Sequence, residues 1–164
     1  MNEGEENESG WITIYTDGSY YPDHDVGAWA CLIRYPNGDS RLLSQSPIEP
    51  SSSHNRMELH AAIEALAAIP LQSKVSIYTD SQYVFKGITE WLPKRWKLNG
   101  FHTAAGASVK NVELWEKLER YVSYHNRVVW QWIKGHDGNP YHDRVDNAAR
   151  QVALAAVKRV TTHF

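Results

Sequence analysis

A single cysteine, Cys31, leaves this 164-residue chain no intramolecular disulfide and suits a reducing compartment, where it reads as a packed strand residue. Long apolar runs are missing too: none approaches the roughly 18 residues of a membrane span. The first ten residues hold four glutamates and no basic residue, the reverse of a secretory or organellar leader. Residues 1–10 are therefore expected to be a disordered acidic tail on a cytoplasmic protein with no membrane partner. Excess positive charge is lacking as well, and the net charge of −2 argues against a general polyanion binder. Beyond the tail there is no internal repeat and no low-complexity segment.

What is present fits one globular domain over residues 11–164, with 42% apolar and 22% charged residues. Charge is uneven. Between Lys86 and Arg127 eight Lys or Arg face four Glu, a local +4 that leaves −6 on the rest. Such a split suits a protein that holds a phosphate backbone at one place and cations at another. Residues 11–17 alternate Ile12 and Ile14 with Thr13 and Tyr15, as a strand does. A second strand over residues 26–35 and a third near 41–44 flank a hairpin turn at Pro36-Asn37-Gly38-Asp39. A helix over 55–69 carries the stripe Leu59, Ala62, Ile63, Leu66, Ile69 and stops at Pro70. Residues 75–79 form a fourth strand. Short helices follow over 82–91, broken by Gly87 and ended near Pro93, then an irregular stretch over 98–108 that reads as a loop between two basic helices. A helix over 111–125, a strand over 127–133 and a last helix over about 141–160 complete the order. The implied α/β fold is a five-stranded mixed sheet, its first three strands an antiparallel meander, with helices on both faces.

Four acids, Asp17, Glu58, Asp80 and Asp146, carry the chemistry. Asp17 and Asp80 each end a β-branched run on Tyr-Thr-Asp followed by a small residue. If those strands pair in register, both acids meet at one sheet edge. Each acid has a plainer reading: Asp17-Gly18 as a turn, Asp80 as an N-cap, Asn55 and Glu58 as a capping pair. Glu58, however, lies four and seven residues before Ala62 and Ala65, which turns it toward the sheet. Asp146 falls in the first turns of the last helix, where the macrodipole favours the ionised form. Converging carboxylates repel unless a cation stands between them, and with no cysteine partner or paired histidines at zinc spacing the expected ion is Mg2+, with Mn2+ as substitute. Two such ions about 4 Å apart hydrolyse a phosphodiester without a covalent intermediate. His136, on a glycine-flanked loop, is the expected proton carrier.

The runs Tyr15-Thr16-Asp17-Gly18-Ser19, Asn55-Arg56-Met57-Glu58-Leu59, Tyr78-Thr79-Asp80-Ser81-Gln82-Tyr83-Val84, Gly87-Ile88-Thr89-Glu90-Trp91, Val109-Lys110-Asn111-Val112-Glu113-Leu114-Trp115 and Trp132-Ile133-Lys134-Gly135-His136 resemble ribonuclease HI of the cellular, bacterial type, across residues 11–157. The resemblance implies a ribonuclease H-like fold and cleavage of the RNA strand of RNA/DNA hybrids, leaving 5′-phosphate and 3′-hydroxyl ends. By the same resemblance Asp17 would bridge both ions, Asp146 would complete the nucleophile side, and Glu58 and Asp80 the leaving-group side. Asn55 and Gln82 match positions that reach minor-groove bases and the sugar edge, and Ser53 stands near a phosphate contact. Trp91, Lys94, Arg95, Trp96, Lys97 and Phe101 are similar to the family's basic protrusion, which grips the DNA strand.

Two segments depart from that pattern. Pro22-Asp23-His24-Asp25 replaces a Gly-Asn-Pro-Gly-type turn and places two acids near the expected phosphate path, where they would repel it. His142 and Asp143 stand near where the family often shows acid and asparagine. The protrusion also lacks lysines over residues 102–108. A hybrid-binding module that does not cut would show the loss of an acid, and all four are present. A junction resolvase or a reverse-transcriptase-derived domain would not combine the tryptophan-rich protrusion with this length. No obligate protein partner is evident, so a monomer is expected.

Overall fold

The computed structural model describes residues 10–49, 51–100 and 109–162, with the side chains of Arg95 and Lys97 excepted. The acidic tail expected over residues 1–10, Phe101 and the lysine-poor stretch 102–108 therefore fall outside the described residues, Gly10 apart. In chain order the elements are β1 (Ile12–Tyr21), β2 (Val26–Arg34), β3 (Ser40–Gln45), α1 (His54–Ala67), β4 (Lys74–Thr79), α2 (Gln82–Lys86), a π-helix (Gly87–Trp96), α3 (Lys97–Asn99), α4 (Val112–Ser123), β5 (Arg127–Trp132) and α5 (Pro140–Thr161). The strands form one mixed sheet in the order β3-β2-β1-β4-β5. The β3-β2-β1 part is antiparallel, and β1-β4-β5 is parallel. This is the five-stranded mixed sheet, its first three strands an antiparallel meander, expected from the sequence. Among the described residues no helix is long and apolar enough to cross a membrane.

Alternation along the central strands divides the interior in two. Ile12, Ile14, Cys31, Ile33, Val75 and Ile77 join Leu59, Ile63 and Leu66 of α1 and Trp115 and Leu118 of α4 in the larger core. Tyr15, Ala30 and Leu32 meet Val145 and Ala149 of α5 in the smaller one. Cys31 is fully buried, and that burial raises its thiol to about 12, so it is packing material.

β1 runs four residues beyond the end expected at Asp17. β4 pairs with β1 only as far as Tyr15↔Tyr78, whereas β2 keeps pairing through Tyr21↔Val26. Asp17-Gly18 is thus no turn: Gly18 sits in the ladder opposite Trp29. Its missing Cβ has another use, because one built there would lie 2.8 Å from both the Glu58 amide nitrogen and Met57 Cβ. The glycine lets α1 touch β1 backbone to backbone.

Pro93 does not end the helical segment after β4. It lies inside the π-helix, whose wider turn keeps the ring away from the carbonyl it would strike in an α-helix. Gly87 opens that segment where a Cβ would fall inside the Trp115 ring.

Candidate active site

The two Tyr-Thr-Asp triplets lie side by side in register, and the parallel ladder stops just before their aspartates. The neighbouring hydrogen-bond needs are met by other groups. Thr79 Oγ1 accepts from the Ser81 amide at 3.0 Å, and the Thr79 carbonyl accepts from Ile133 at 2.9 Å. Ser81, not Asp80, caps α2 by accepting from the Val84 amide at 3.1 Å. Ser53, not Asn55, caps α1 by accepting from the Arg56 amide at 3.1 Å. Both capping alternatives for the acids are thereby filled by serines, and the carboxylates are left for something else.

Asp17 and Glu58 are almost fully buried, at 3% and 1% exposure. Asp17 Oδ1 accepts from the Gly18 amide at 2.8 Å, but Oδ2 has no partner, nor has either oxygen of Glu58. His54 Nε2 stands 3.1 Å from Glu58 Oε1 without making a hydrogen bond. Burial first, and then the charges of Glu58 and Asp80, push Asp17 up to about 10. Burial likewise carries Glu58 to about 8, with Asp80 and Asp146 adding to it. Asp80 and Asp146 are partly open to solvent. Gly135 passes so close over Asp80 that a Cβ there would lie 2.7 Å from Oδ2. Buried carboxylate oxygens without donors are costly, and a divalent cation relieves the desolvation and the mutual repulsion together. The donor set therefore fits a hard cation.

His136 is exposed on the loop before α5 with φ of +57°. Its connection to the acids runs through Arg150: Nη2 lies 3.4 Å from His136 Nε2, and Nε lies 3.2 Å from Asp146 Oδ2.

The sequence reading missed His142. It occupies the first turn of α5 on the buried stripe that continues through Val145, Ala149, Ala153 and Ala156, with 2% exposure. Its Nε2 lies 3.4 Å from Asp80 Oδ2 and 3.7 Å from Asp17 Oδ2. Together the three residues offer ligand atoms within 4.8 Å of one another. Burial alone would lower the imidazole, but the Asp80 carboxylate beside it and the charges of Asp17, Asp80 and Asp146 raise it. The only sequence signal was a polar residue on an apolar helical face, close to where the family pattern breaks.

The residues expected to touch substrate differ in how they are placed. Asn55 and Gln82 are exposed in the first turns of α1 and α2, next to Glu58 and Asp80 in the chain. Ser53 is engaged as a cap. Lys94 is exposed, and the side chains of Arg95 and Lys97 lie outside the described set. Trp91 is half-buried, 5.7 Å from Trp96 between ring centroids. Trp96 itself is buried edge-on to Trp115 at 5.1 Å, so packing accounts for it. Asp25, expected beside the phosphate path, accepts from Tyr20 Oη at 2.6 Å and from the Ser52 amide at 2.9 Å. It ties the β1-β2 turn to the segment before α1.

Comparison with known proteins matches the RNase H family over residues 9–154. The chain is 43% identical over 140 residues to the ribonuclease H of Pseudomonas paraeruginosa, covering 85% of this chain and 91% of the relative. Against the ribonuclease H of Xanthomonas campestris pv. campestris the identity is 45% over 144 residues, covering 88% and 93%. A solved structure described as LC9-RNase H1, a type 1 RNase H with the type 2 active-site motif, superimposes with a TM-score of 0.76 at 28% identity, covering 89% of this chain and 73% of the other. On that family match and those identities, spread over most of its length, the chain belongs to the ribonuclease H family.

Proposed function

We propose that Asp17, Glu58, Asp80 and Asp146 hold two divalent cations, Mg2+ with Mn2+ as substitute, for hydrolysis of the RNA strand of an RNA/DNA hybrid to 5′-phosphate and 3′-hydroxyl ends. Family membership makes the chain an endoribonuclease acting on such hybrids. The observation that carries the metal reading is the set of buried carboxylate oxygens without donors at the end of the parallel ladder. When bound, the ions would supply activation of water and charge neutralisation at the scissile phosphate.

The chain's own residues do the rest. Asp17, buried beside Glu58 and Asp80, would contribute to holding both ions, with Asp146 serving the nucleophile side and Glu58 and Asp80 the leaving-group side. His136 carries a proton to or from the phosphate, and Arg150 holds the loop histidine near Asp146. Asn55 and Gln82 face the minor groove, where the 2′-hydroxyl separates RNA from DNA. Trp91, Lys94, Arg95 and Lys97 meet the DNA strand. We assign the work to a cytoplasmic monomer formed as a single domain over residues 11–164.

The test is an end-labelled RNA/DNA hybrid, an RNA/RNA duplex and each single strand, incubated with Mg2+ and then with EDTA. Cleavage of the hybrid's RNA alone, abolished by EDTA, is the expected result. Equal cutting of RNA/RNA, or cutting that survives EDTA, overturns the assignment.

A further inference from the structure

His142 has no role in the function just assigned, yet no histidine in the described chain is more deeply placed. Asn139 fixes its backbone, accepting from the Tyr141 and His142 amides at 3.0 Å each, so the first turn of α5 cannot swing the ring away without losing its cap. On that turn the side chain is directed inward with Val145 and Ala149, and its Nε2 ends without a hydrogen-bond partner. Two carboxylate oxygens lie beside that nitrogen, Oδ2 of Asp80 at 3.4 Å and Oδ2 of Asp17 at 3.7 Å. A buried nitrogen of this kind is an orphan unless something sits among the three residues.

We propose that His142 Nε2 is a metal ligand in this pocket, so that Asp17, Asp80 and His142 form a mixed oxygen and nitrogen site selecting first-row transition cations over Mg2+. The proposal rests on the reading that the acids bind divalent cations. Mg2+ takes oxygen ligands in a near-ideal octahedron and gains little from imidazole, whereas Mn2+ and more strongly Co2+ accept it. Replacing one oxygen position by nitrogen therefore raises affinity along the Mn2+ to Co2+ order and leaves Mg2+ behind. Occupied in this way, the site would still load Mg2+ where that ion is abundant, but it would give way to traces of the others.

Three measurements on the full chain test this. Mn2+ bound to the wild-type protein is expected to show nitrogen modulation in pulsed electron paramagnetic resonance, and His142→Asn to lose it. Calorimetric titration of His142→Asn is expected to show Mn2+ and Co2+ affinity reduced by at least about tenfold, the scale on which even outer partners of a metal act. Mg2+ affinity should stay within about twofold. The visible spectrum of the Co2+ complex should also change. Nitrogen modulation that persists in His142→Asn points to His54, beside Glu58, and overturns the proposal. A wild-type spectrum with no nitrogen coupling overturns it without relying on any variant. Should Asp17→Asn bind all three ions as the wild type does, the metal pocket itself is wrong and the histidine assignment falls with it. If Asp17→Asn loses the ions while His142→Asn keeps them all, only the histidine is wrong.

Discussion

Helix α1 serves two clusters of charge that behave in opposite ways. Arg56 belongs to the first: it donates to Glu49 through Nε at 3.3 Å and Nη2 at 3.0 Å, and through Nη1 to Glu113 at 2.5 Å and Asn111 at 3.1 Å. His60 and Ser52 complete the shell around Glu49. Burial would push Glu49 up, but the hydrogen bonds from Arg56, His60 and Ser52 outweigh it and hold the carboxyl at about 2. Glu58, two residues on, sits among acids with no donor and is raised to about 8. One helix turn therefore carries a closed ionic cluster and an open one. The closed cluster is structural, since every charge has a partner within the chain. The open one is incomplete without something added, and incompleteness of this kind marks a ligand site.

The sharpest way to break the contrast is Asp17→Asn. Hybrid cleavage should fall by at least about 10³-fold, a loss of several kcal/mol of charge stabilisation. The metal-free protein should nevertheless melt at the same temperature or higher, because the cost of burying an ionisable carboxyl among other acids is gone. Residual activity near wild type, in protein free of wild-type contamination, removes the metal-site reading.

His136→Ala comes next. Turnover should drop about 10- to 1000-fold and not vanish, since a proton carrier assists the central chemistry without supplying it. Arg150→Ala should reproduce part of that loss. Unaltered turnover of His136→Ala across pH 6 to 9 returns the loop histidine to a structural role.

Arg56→Ala probes the closed cluster and should give the opposite profile to Asp17→Asn. Stability should fall by about 1–3 kcal/mol in denaturant melts, because Glu49 is left half-buried without its main donor. The cleavage rate of the folded fraction should change by less than about threefold, well under one pKa-unit equivalent of transition-state energy. Equal losses in both measurements would show that the two clusters are one.

The clusters also pull the pH dependence in different directions. Asp17 and Glu58 are raised from 3.8 and 4.5 to about 10 and about 8, so their contribution is fully present below about pH 4 and lost as pH rises through 8 to 10. Glu49 is lowered from 4.5 to about 2, so its contribution is present above pH 4.5 and lost as pH falls through 2. Metal-free melting temperature should therefore decline from pH 5 to 9. Asp17→Asn, or added Mg2+, should flatten that decline, and a flat wild-type profile without metal counts against the buried acids.

The smallest effect concerns the β1-β2 turn. Tyr20 and Ser52 hold Asp25 in place and favour its charged form, so Asp23→Asn removes only one of the turn's two acids. Asp23→Asn should tighten hybrid binding by no more than about threefold at low salt, fading as the Debye length shortens. Weaker binding at low salt contradicts the repulsion.

Much of this was legible in the chain. The repeated Tyr-Thr-Asp fixed the β1-β4 register because identical strand ends stop at the same depth, and Glu58 stood out as a charge inside an apolar helical stripe. The run of β1 beyond Asp17 was not legible, since its partner there is β2, a tertiary neighbour that Ser19-Tyr20-Tyr21 does not announce. Trp96 gave no clue to its burial, because packing and stacking on a base ask for the same ring. His142 stood out only as a departure from the family pattern. Only the register of α5 against the ends of β1 and β4 aims it at two aspartates.

The contact at Gly18 sets a tolerance. Because β1 and α1 meet there as main chain on main chain, the separation of the segments bearing Asp17 and Glu58 is gauged by atomic radii, with no rotamer in between to absorb error. Drift elsewhere in the core can then shift side chains without altering that gauge, whereas a single methyl at Gly18 acts as a shim between the two acids. Gly18→Ala should accordingly keep a folded circular dichroism spectrum while weakening Mn2+ binding, and unchanged Mn2+ affinity in that variant would show that the gauge lies elsewhere.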